Sequence, residues 1–184
     1  MKIFLYFLLI VTAANCGSSQ QHEEKKAASP ETEVNEEGQE TLLVGDIERK
    51  DLEQAQFATW FHPMYKSYKP EAKALETIRE HINDYEILMF MGTWCADSQR
   101  EVPKFLKLLD LTEFDQENLK IKAVREDKTL PDEEQKEYDV VYVPTMIFFK
   151  DGKEVGRFVE YPQDELEIDI AKIVSGKEYR HSYE

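Results

Sequence analysis

The sequence predicts an α/β fold in which a central mixed β-sheet is flanked by helices. First, Tyr85–Met91 is a mainly apolar run of strand length, as in a strand that is covered on both faces. Second, Cys95–Asp110 follows a Gly92-Thr93 turn and has the periodicity of an amphipathic helix. Third, the patterns along the chain give the order β-α-β-α-β-β-α, which fits a sheet between helical layers.

Residues 1–15 have the features of a secretory signal peptide. Lys2 precedes the apolar run Ile3–Val11, which is too short to span a bilayer as a helix. The next stretch, Thr12–Ser19, resembles a bacterial lipobox, in which small residues precede a cysteine that is lipidated and becomes the mature N-terminus. The resemblance implies lipidation at Cys16 and a lipid anchor in the bacterial cell envelope, on its periplasmic or surface side. The alternative is cleavage after Ala14, which would leave a soluble protein with a second free thiol.

Residues 16–45 are predicted to be the lipidated cysteine and a disordered acidic tether. Ser, Gln, Glu and Lys dominate this segment, and apolar residues are sparse before Leu42. Such a segment buries too little apolar surface to offset the entropy lost on ordering. We expect a solvated spacer, and the alternative is an export or surface-targeting signal.

Residues 46–83 are predicted to form an N-terminal extension. We expect a short helix, an aromatic turn around His62-Pro63, and then a helix that Pro70 begins and Asn83-Asp84 ends. The aromatic residues of this extension include Phe57, Trp60, Phe61, Tyr65 and Tyr68. We interpret the cluster as a cap packed on the core rather than a ligand pocket.

The main domain is predicted to cover residues 84–184. Beyond the first strand and helix, its predicted elements are a parallel strand at Leu119–Val124, a short acidic helix at Pro131–Tyr138, a hairpin of Thr145–Lys150 and Glu154–Glu160, and a final helix at Pro162–Val174. The Asp151-Gly152 pair suits the hairpin turn.

Charge and composition exclude several function classes. The formal net charge of -15 would repel nucleic-acid phosphates, and the Lys and Arg residues form no basic stripe. The sequence contains no glycine-rich phosphate-binding loop. Its four histidines, His22, His62, His81 and His181, lack the spacing of metal ligands. We therefore predict no metal, no cofactor and no nucleic-acid partner.

Cys95 is a candidate nucleophile because it lies at the first turn of a predicted helix. The unpaired N–H groups and the dipole of a helix N-terminus favour the thiolate, which is the form that attacks disulfides. The alternative from position alone is a small buried hydrophobic residue, since free cysteines are commonly buried.

Four motifs resemble the thioredoxin family. Trp94-Cys95-Ala96-Asp97-Ser98 matches its W-C-x-x-C motif with serine in place of the second cysteine, and Pro103 matches its helix-kinking proline. Val143-Pro144-Thr145 resembles its cis-proline signature, and Lys150–Lys153 its hairpin turn. The resemblance covers roughly residues 84–174 and implies a thioredoxin-like fold. It also implies catalytic roles for Cys95 and Ser98 and a substrate groove lined by Trp94, Val143, Pro144 and Thr145.

Several residues depart from the family pattern. The Ser98 hydroxyl could donate a hydrogen bond to the Cys95 thiolate, but it is too poor a nucleophile to resolve a mixed disulfide, so an external thiol would be needed. Met89 occupies the position of the family's buried aspartate, and Glu160 that of a groove-lining glycine. Asp97 would oppose the thiolate, and Arg100 would partly offset its charge.

We therefore expect an envelope-anchored monothiol protein that exchanges disulfides through Cys95. Its partners would be protein or small-molecule thiols and disulfides, an external resolving thiol, and the membrane through the lipid anchor. One alternative is a redox-inactive module that binds extended peptides in the same groove. Another is a lipoprotein whose fold merely supports the aromatic extension from Phe57 to Tyr68.

Overall fold

The computed structural model describes residues 30–34 and 40–184. The strands are β1 (Glu31–Val34), β2 (Glu40–Ile47), β3 (Glu86–Met91), β4 (Leu119–Ala123), β5 (Thr145–Lys150) and β6 (Lys153–Val159). The helices are α1 (Arg49–Leu52), α2 (Ala55–Ser67), α3 (Ala72–His81), α4 (Ala96–Leu111), α5 (Glu134–Glu137) and α6 (Leu166–Val174). Short 3₁₀ turns cover Ile82–Asp84 and Gln116–Asn118. The predicted alternation of strands and helices from β3 onwards is confirmed.

The described strands form one mixed sheet in the order β1-β2-β4-β3-β5-β6. Strands β3 and β4 are parallel, with Met89 opposite Ile121, and the other neighbouring pairs are antiparallel. This confirms a central mixed sheet.

Consecutive side chains of β3 enter two different hydrophobic clusters. Met89 and Met91 belong to the larger cluster, which includes buried residues of α2, α3, α4 and α6. Leu88 and Phe90 belong to a smaller cluster with Val143 and other residues of the segment between β4 and β5. Because successive residues of a strand point to opposite faces, β3 is covered on both sides, as its sequence predicts.

The predicted tether is wrong over residues 31–34 and 40–45. Strand β2 pairs antiparallel with β4, with Gly45 opposite Ala123, and β1 pairs with β2. Leu43 and Val44 are buried. Leu43 and Val44 pair with Thr32 and Glu31 of β1, whereas Gly45–Ile47 pair with β4. The predicted signal peptide and Cys16 lie outside the described residues.

The predicted turn at His62-Pro63 is also wrong, because α2 continues through both residues. A proline within a helix cannot donate to the carbonyl four residues earlier, and its ring crowds that carbonyl. His62 and Pro63 lie on the exposed side of α2, whereas Phe57 and Phe61 are buried in the core. The predicted packing of the aromatic cluster on the core is confirmed.

Two predicted helices are shorter in the structure. The acidic helix is limited to α5, and the final helix α6 begins at Leu166 instead of Pro162. The segment before α6 is held by the Gln163 N–H, which donates to Asp169 Oδ2 over 2.7 Å. Among residues 30–34 and 40–184, no helix is long and apolar enough to cross a membrane.

Candidate functional site

Cys95 lies at the N-terminus of α4, just beyond the C-terminal end of the central strand β3. It is the N-cap residue, with extended backbone angles, and its carbonyl accepts the first hydrogen bond of the helix from the Gln99 N–H at 2.9 Å. Its own N–H donates to the Gly92 carbonyl at 3.0 Å and closes the preceding turn. The residue is 9% exposed. The thiol is therefore held at a helix start, as its sequence position predicts.

The Cys95 thiol contacts the loop that precedes β5. Its Sγ donates a hydrogen bond to the Val143 carbonyl over 3.2 Å, and the following Val143-Pro144 peptide bond is cis. Thr145 begins β5 and is buried, with its Oγ1 donating to the Tyr142 carbonyl over 2.7 Å. The structure thus brings the predicted Val143-Pro144-Thr145 segment beside the predicted nucleophile.

Trp94 packs on the turn that carries the thiol. Its indole Nε1 donates to the Val124 carbonyl over 3.0 Å, and its ring contacts the hydrophobic cluster that contains Cys95. The turn needs glycine at position 92, because a Cβ there would lie 2.6 Å from the Trp94 ring. Sequence reasoning did not single out Gly92 for this role, although its place before the Trp-Cys pair is a usable signal.

The described geometry gives Ser98 a different contact from the expected one. Ser98 is fully buried, and its Oγ accepts a hydrogen bond from the Gly92 N–H at 3.1 Å. Within residues 30–34 and 40–184, no hydrogen bond joins Ser98 Oγ to Cys95 Sγ. Ser98 therefore supports the turn that presents the thiol.

Comparisons with known proteins agree with this geometry. A family model described as Thioredoxin matches residues 50–172, which is more than half of the chain. The chain belongs to the thioredoxin family. No curated protein matches its sequence.

Solved structures are similar to the chain at low sequence identity, and the first named here shares its fold. A protein of unknown function from Pseudomonas aeruginosa is 16% identical, with a TM-score of 0.52 over 67% of this chain and 86% of that chain. Fasciola hepatica thioredoxin is 24% identical, with a TM-score of 0.38 over 56% and 89% of the two chains. A thioredoxin pre-protein of Schistosoma mansoni is 26% identical, with a TM-score of 0.37 over 58% and 95%.

Met89 departs from the thioredoxin pattern inside the core. It is fully buried among apolar side chains of the larger cluster, so this position supplies no proton acceptor. A proton that leaves the thiol must therefore pass to another group or to solvent.

Charges near the start of α4 form a short chain of ion pairs. Arg100 Nη2 lies 2.6 Å from Asp97 Oδ1, and Arg100 Nε lies 2.5 Å from Glu101 Oε1. Lys104 Nζ lies 3.2 Å from Glu101 Oε2, which is almost completely buried. The predicted pairing of Arg100 with Asp97 is present, and it reduces the charge that Asp97 places near the thiol.

Glu160, at the other departure from the thioredoxin pattern, touches the cis-proline loop. Its backbone has a φ of +64°, in the left-handed region that glycine adopts most easily. Its N–H donates to the Pro144 carbonyl over 2.7 Å. Burial, together with the negative charge of Asp97, raises the pKa of the Glu160 carboxyl. A glutamate therefore occupies the position at which the resemblance predicts a groove-lining glycine.

Sequence reasoning missed the contact that ties β2 to the site. The Leu43 N–H donates to Thr93 Oγ1 over 3.3 Å, and Gln99 Nε2 donates to the Thr93 carbonyl over 2.7 Å. The turn before Cys95 is thus held from both sides. Only the interruption of the acidic segment by Thr41–Val44 could have indicated this.

Proposed function

We propose that the protein carries out thiol–disulfide exchange through Cys95 as a monothiol. The observation that carries the proposal is the contact between Cys95 Sγ and the Val143 carbonyl, which puts the thiol beside the start of the cis-proline loop. A partner segment lying along that loop would bring its disulfide to the sulfur. Membership of the thioredoxin family supports the same chemistry.

The exchange proceeds in two balanced steps. The Cys95 thiolate attacks one sulfur of a partner disulfide, a mixed disulfide forms, and the other sulfur leaves as a thiolate. A second thiolate, from outside the chain, then attacks the partner's sulfur in the mixed disulfide, forms a new disulfide with it, and Cys95 leaves as the thiolate. Ser98 cannot take this second role, because a hydroxyl is a poor nucleophile at neutral pH. Protein or small-molecule thiols and disulfides are the proposed partners, with an external thiol as the resolving group.

Trapping in native cells tests the exchange. Cells are quenched in acid, free thiols are alkylated, and wild type is compared with Cys95→Ala on non-reducing gels. We expect wild type to show adducts of higher mass that collapse on reduction and are absent from Cys95→Ala. Lys50→Ala, which changes an exposed side chain of α1, is the matched control. A wild-type protein that runs as a monomer, with a slowly alkylated Cys95, contradicts the proposal.

The second candidate is a redox-inactive module that binds extended peptides. It is favoured by the low exposure of Cys95 and by the carboxylate of Glu160 at the groove. In that case Cys95→Ala would keep its partners in a non-covalent pull-down, and no mixed disulfide would form.

We also propose that Cys16 anchors the protein to the bacterial cell envelope. The lipobox-like stretch before Cys16 supports this proposal. Each buried methylene of an acyl chain contributes about 0.8 kcal/mol of membrane affinity, so a multiply acylated terminus would hold firmly. Labelling cells with an alkyne fatty acid should tag wild type and fail to tag Cys16→Ser. A wild-type protein that stays unlabelled and fractionates as a soluble protein contradicts the anchor.

A further inference from the structure

The C-terminal tail, residues 176–184, returns from α6 to the candidate site. Gly176 has a φ of +69°, which lets the chain turn after the helix. Ser182 Oγ then donates to the Tyr161 carbonyl over 2.7 Å. Tyr183 stacks on Tyr142, with ring centroids 3.8 Å apart and an angle of 8° between the planes. The last residues of the tail are therefore fixed to two loops of the main domain.

The contacts of Tyr183 define a small aromatic subsite. Its hydroxyl donates to the Glu160 carboxylate, and its ring lies 6.2 Å from that of Tyr161. The Tyr142 ring is also contacted by Lys128, whose Nζ lies 5.2 Å from the ring centroid. An aromatic side chain carrying a hydroxyl fits this arrangement of ring faces and a carboxylate.

The subsite adjoins the segment that contacts Cys95. Tyr142 directly precedes Val143, whose carbonyl accepts from the thiol. Glu160 holds the Pro144 carbonyl through its backbone N–H. Among the described residues, the Val143 N–H donates no hydrogen bond, and the residue itself is buried. A partner lying along residues 142–145 would contact Tyr183 at the Tyr142 end of that segment.

We infer that Tyr183 occupies, in the free protein, the subsite that an aromatic side chain of the partner occupies in the complex. This inference deepens the proposed function and rests on it. The partner class is an extended protein segment that carries a tyrosine near its disulfide cysteine. Such a segment enters the Tyr142–Glu160 subsite when the tail leaves, so the tail competes with partners that have the aromatic residue. Small disulfides, which do not reach the subsite, are unaffected by the tail.

Activated peptides test this competition. The probes are synthetic peptides whose cysteine carries a thionitrobenzoate group, with a single tyrosine moved through the positions flanking the cysteine, and an all-alanine version. In Tyr183→Ala, the rate with the best tyrosine peptide should rise by roughly three- to tenfold. This is the increase expected when the tail loses the aromatic pair and the charge-assisted hydrogen bond with which it competes for the subsite. The rates with the alanine peptide and with Ellman's reagent should stay near wild type. The control Lys50→Ala should change none of these rates, because that side chain lies outside the tail, is 72% exposed and pairs with Glu48.

Two outcomes of the rate measurements overturn the inference. One is an unchanged rate with every tyrosine peptide, and the other is an equal rise with all reagents, which would make the tail a general shield of the thiol. A measurement independent of thiol chemistry separates this failure from that of the proposed function. Amide hydrogen exchange over residues 140–145, in a Cys95→Ser background, should become faster on Tyr183→Ala. Unchanged hydrogen exchange overturns the inference about Tyr183 even when Cys95 proves inert.

Discussion

The Ser98 hydroxyl accepts a hydrogen bond from the Gly92 N–H, 3.1 Å away, across the turn that carries Cys95. Ser98 is fully buried, so this bond is shielded from water. The residue in place of a second cysteine therefore closes the turn between β3 and α4. Its contribution is to the shape of the turn.

Replacing Ser98 with alanine should lower stability more than it changes thiol reactivity. The substitution leaves the buried Gly92 N–H without its partner, which costs about 1–3 kcal/mol. Denaturant unfolding should show this loss, while the alkylation rate of Cys95 at low denaturant stays close to wild type. A strong fall in the alkylation rate with unchanged stability would instead assign Ser98 a direct role at the sulfur.

Replacing Ser98 with cysteine should convert the protein into a dithiol. A thiol at this position can attack the mixed disulfide on Cys95 and release the partner, because a thiolate is a far better nucleophile than a hydroxyl. Acid-quenched gels should show fewer mixed disulfides than wild type and a new intramolecular disulfide. Ser98→Ala is the matched control, and adducts at wild-type levels in Ser98→Cys would contradict the prediction.

Adding a methyl group at Gly92 should displace the Trp94 indole. The new Cβ would lie 2.6 Å from a ring atom, so the ring or the turn must move. Overpacking of this kind costs about 1–3 kcal/mol. Tryptophan fluorescence and denaturant unfolding measure the two effects. Gly156→Ala is a milder control, with its Cβ 3.3 Å from an Ile173 methyl group. The clash is tested further by Gly92→Ala combined with Trp94→Ala, which should be no less stable than Trp94→Ala alone.

Removing β1 and β2 should destabilise the domain strongly. A chain that begins at Glu48 loses the buried side chains of Leu43, Val44 and Ile47, each worth about 1.5–3 kcal/mol. It also leaves one edge of β4 unpaired. The control is a chain that begins at Pro30 and keeps both strands. Equal unfolding free energies for the two chains would restore the idea of a dispensable tether.

The buried carboxyl of Asp169 should make stability depend on pH. Burial raises its pKa, and no hydrogen bond reaches its Oδ1 within the described part of the chain. The folded protein therefore binds this proton more tightly than the unfolded chain does. The resulting stability is complete below the unfolded pKa of about 3.9 and is lost as the pH rises through the raised folded value.

Asp169→Asn isolates this effect because the amide does not ionise. The unfolding free energy of wild type minus that of Asp169→Asn should fall as the pH is raised from about 4 towards neutrality. Urea unfolding at a series of pH values measures the difference. A difference that stays constant or rises over that range would contradict the raised pKa.

The sequence predicts the elements whose pattern is complete within the element itself. Strand β4 and helix α4 have their own apolar periodicity, so their positions could be predicted closely. Strand β2 could not, because its backbone is paired only through β1 and the sequence-distant β4. The helix through Pro63 was missed because proline is tolerated where solvent can reach the carbonyl that loses its partner.

Some contacts of the candidate site could likewise be predicted from the sequence, and others could not. The proximity of Cys95 and Val143 could be predicted from motifs, since each motif has a fixed place in the family fold. The hydrogen-bond partner of the Ser98 hydroxyl could not be predicted, because it depends on small differences in atomic position within the turn. The stacking of Tyr183 on Tyr142 joins residues far apart in the sequence, and neither residue carries a local signal of the other.

The outer strands of the sheet have a consequence for self-association. The sheet ends at β1 and β6 among the described strands, and an unpaired strand edge can recruit another chain. Strand β1 is four residues long, and Glu31 and Glu33 within it face Arg125. Strand β6 begins with the exposed charges of Lys153 and Glu154. The short length of β1 and the charges on both edge strands discourage edge-to-edge polymerisation, so many copies could lie close together without joining their sheets.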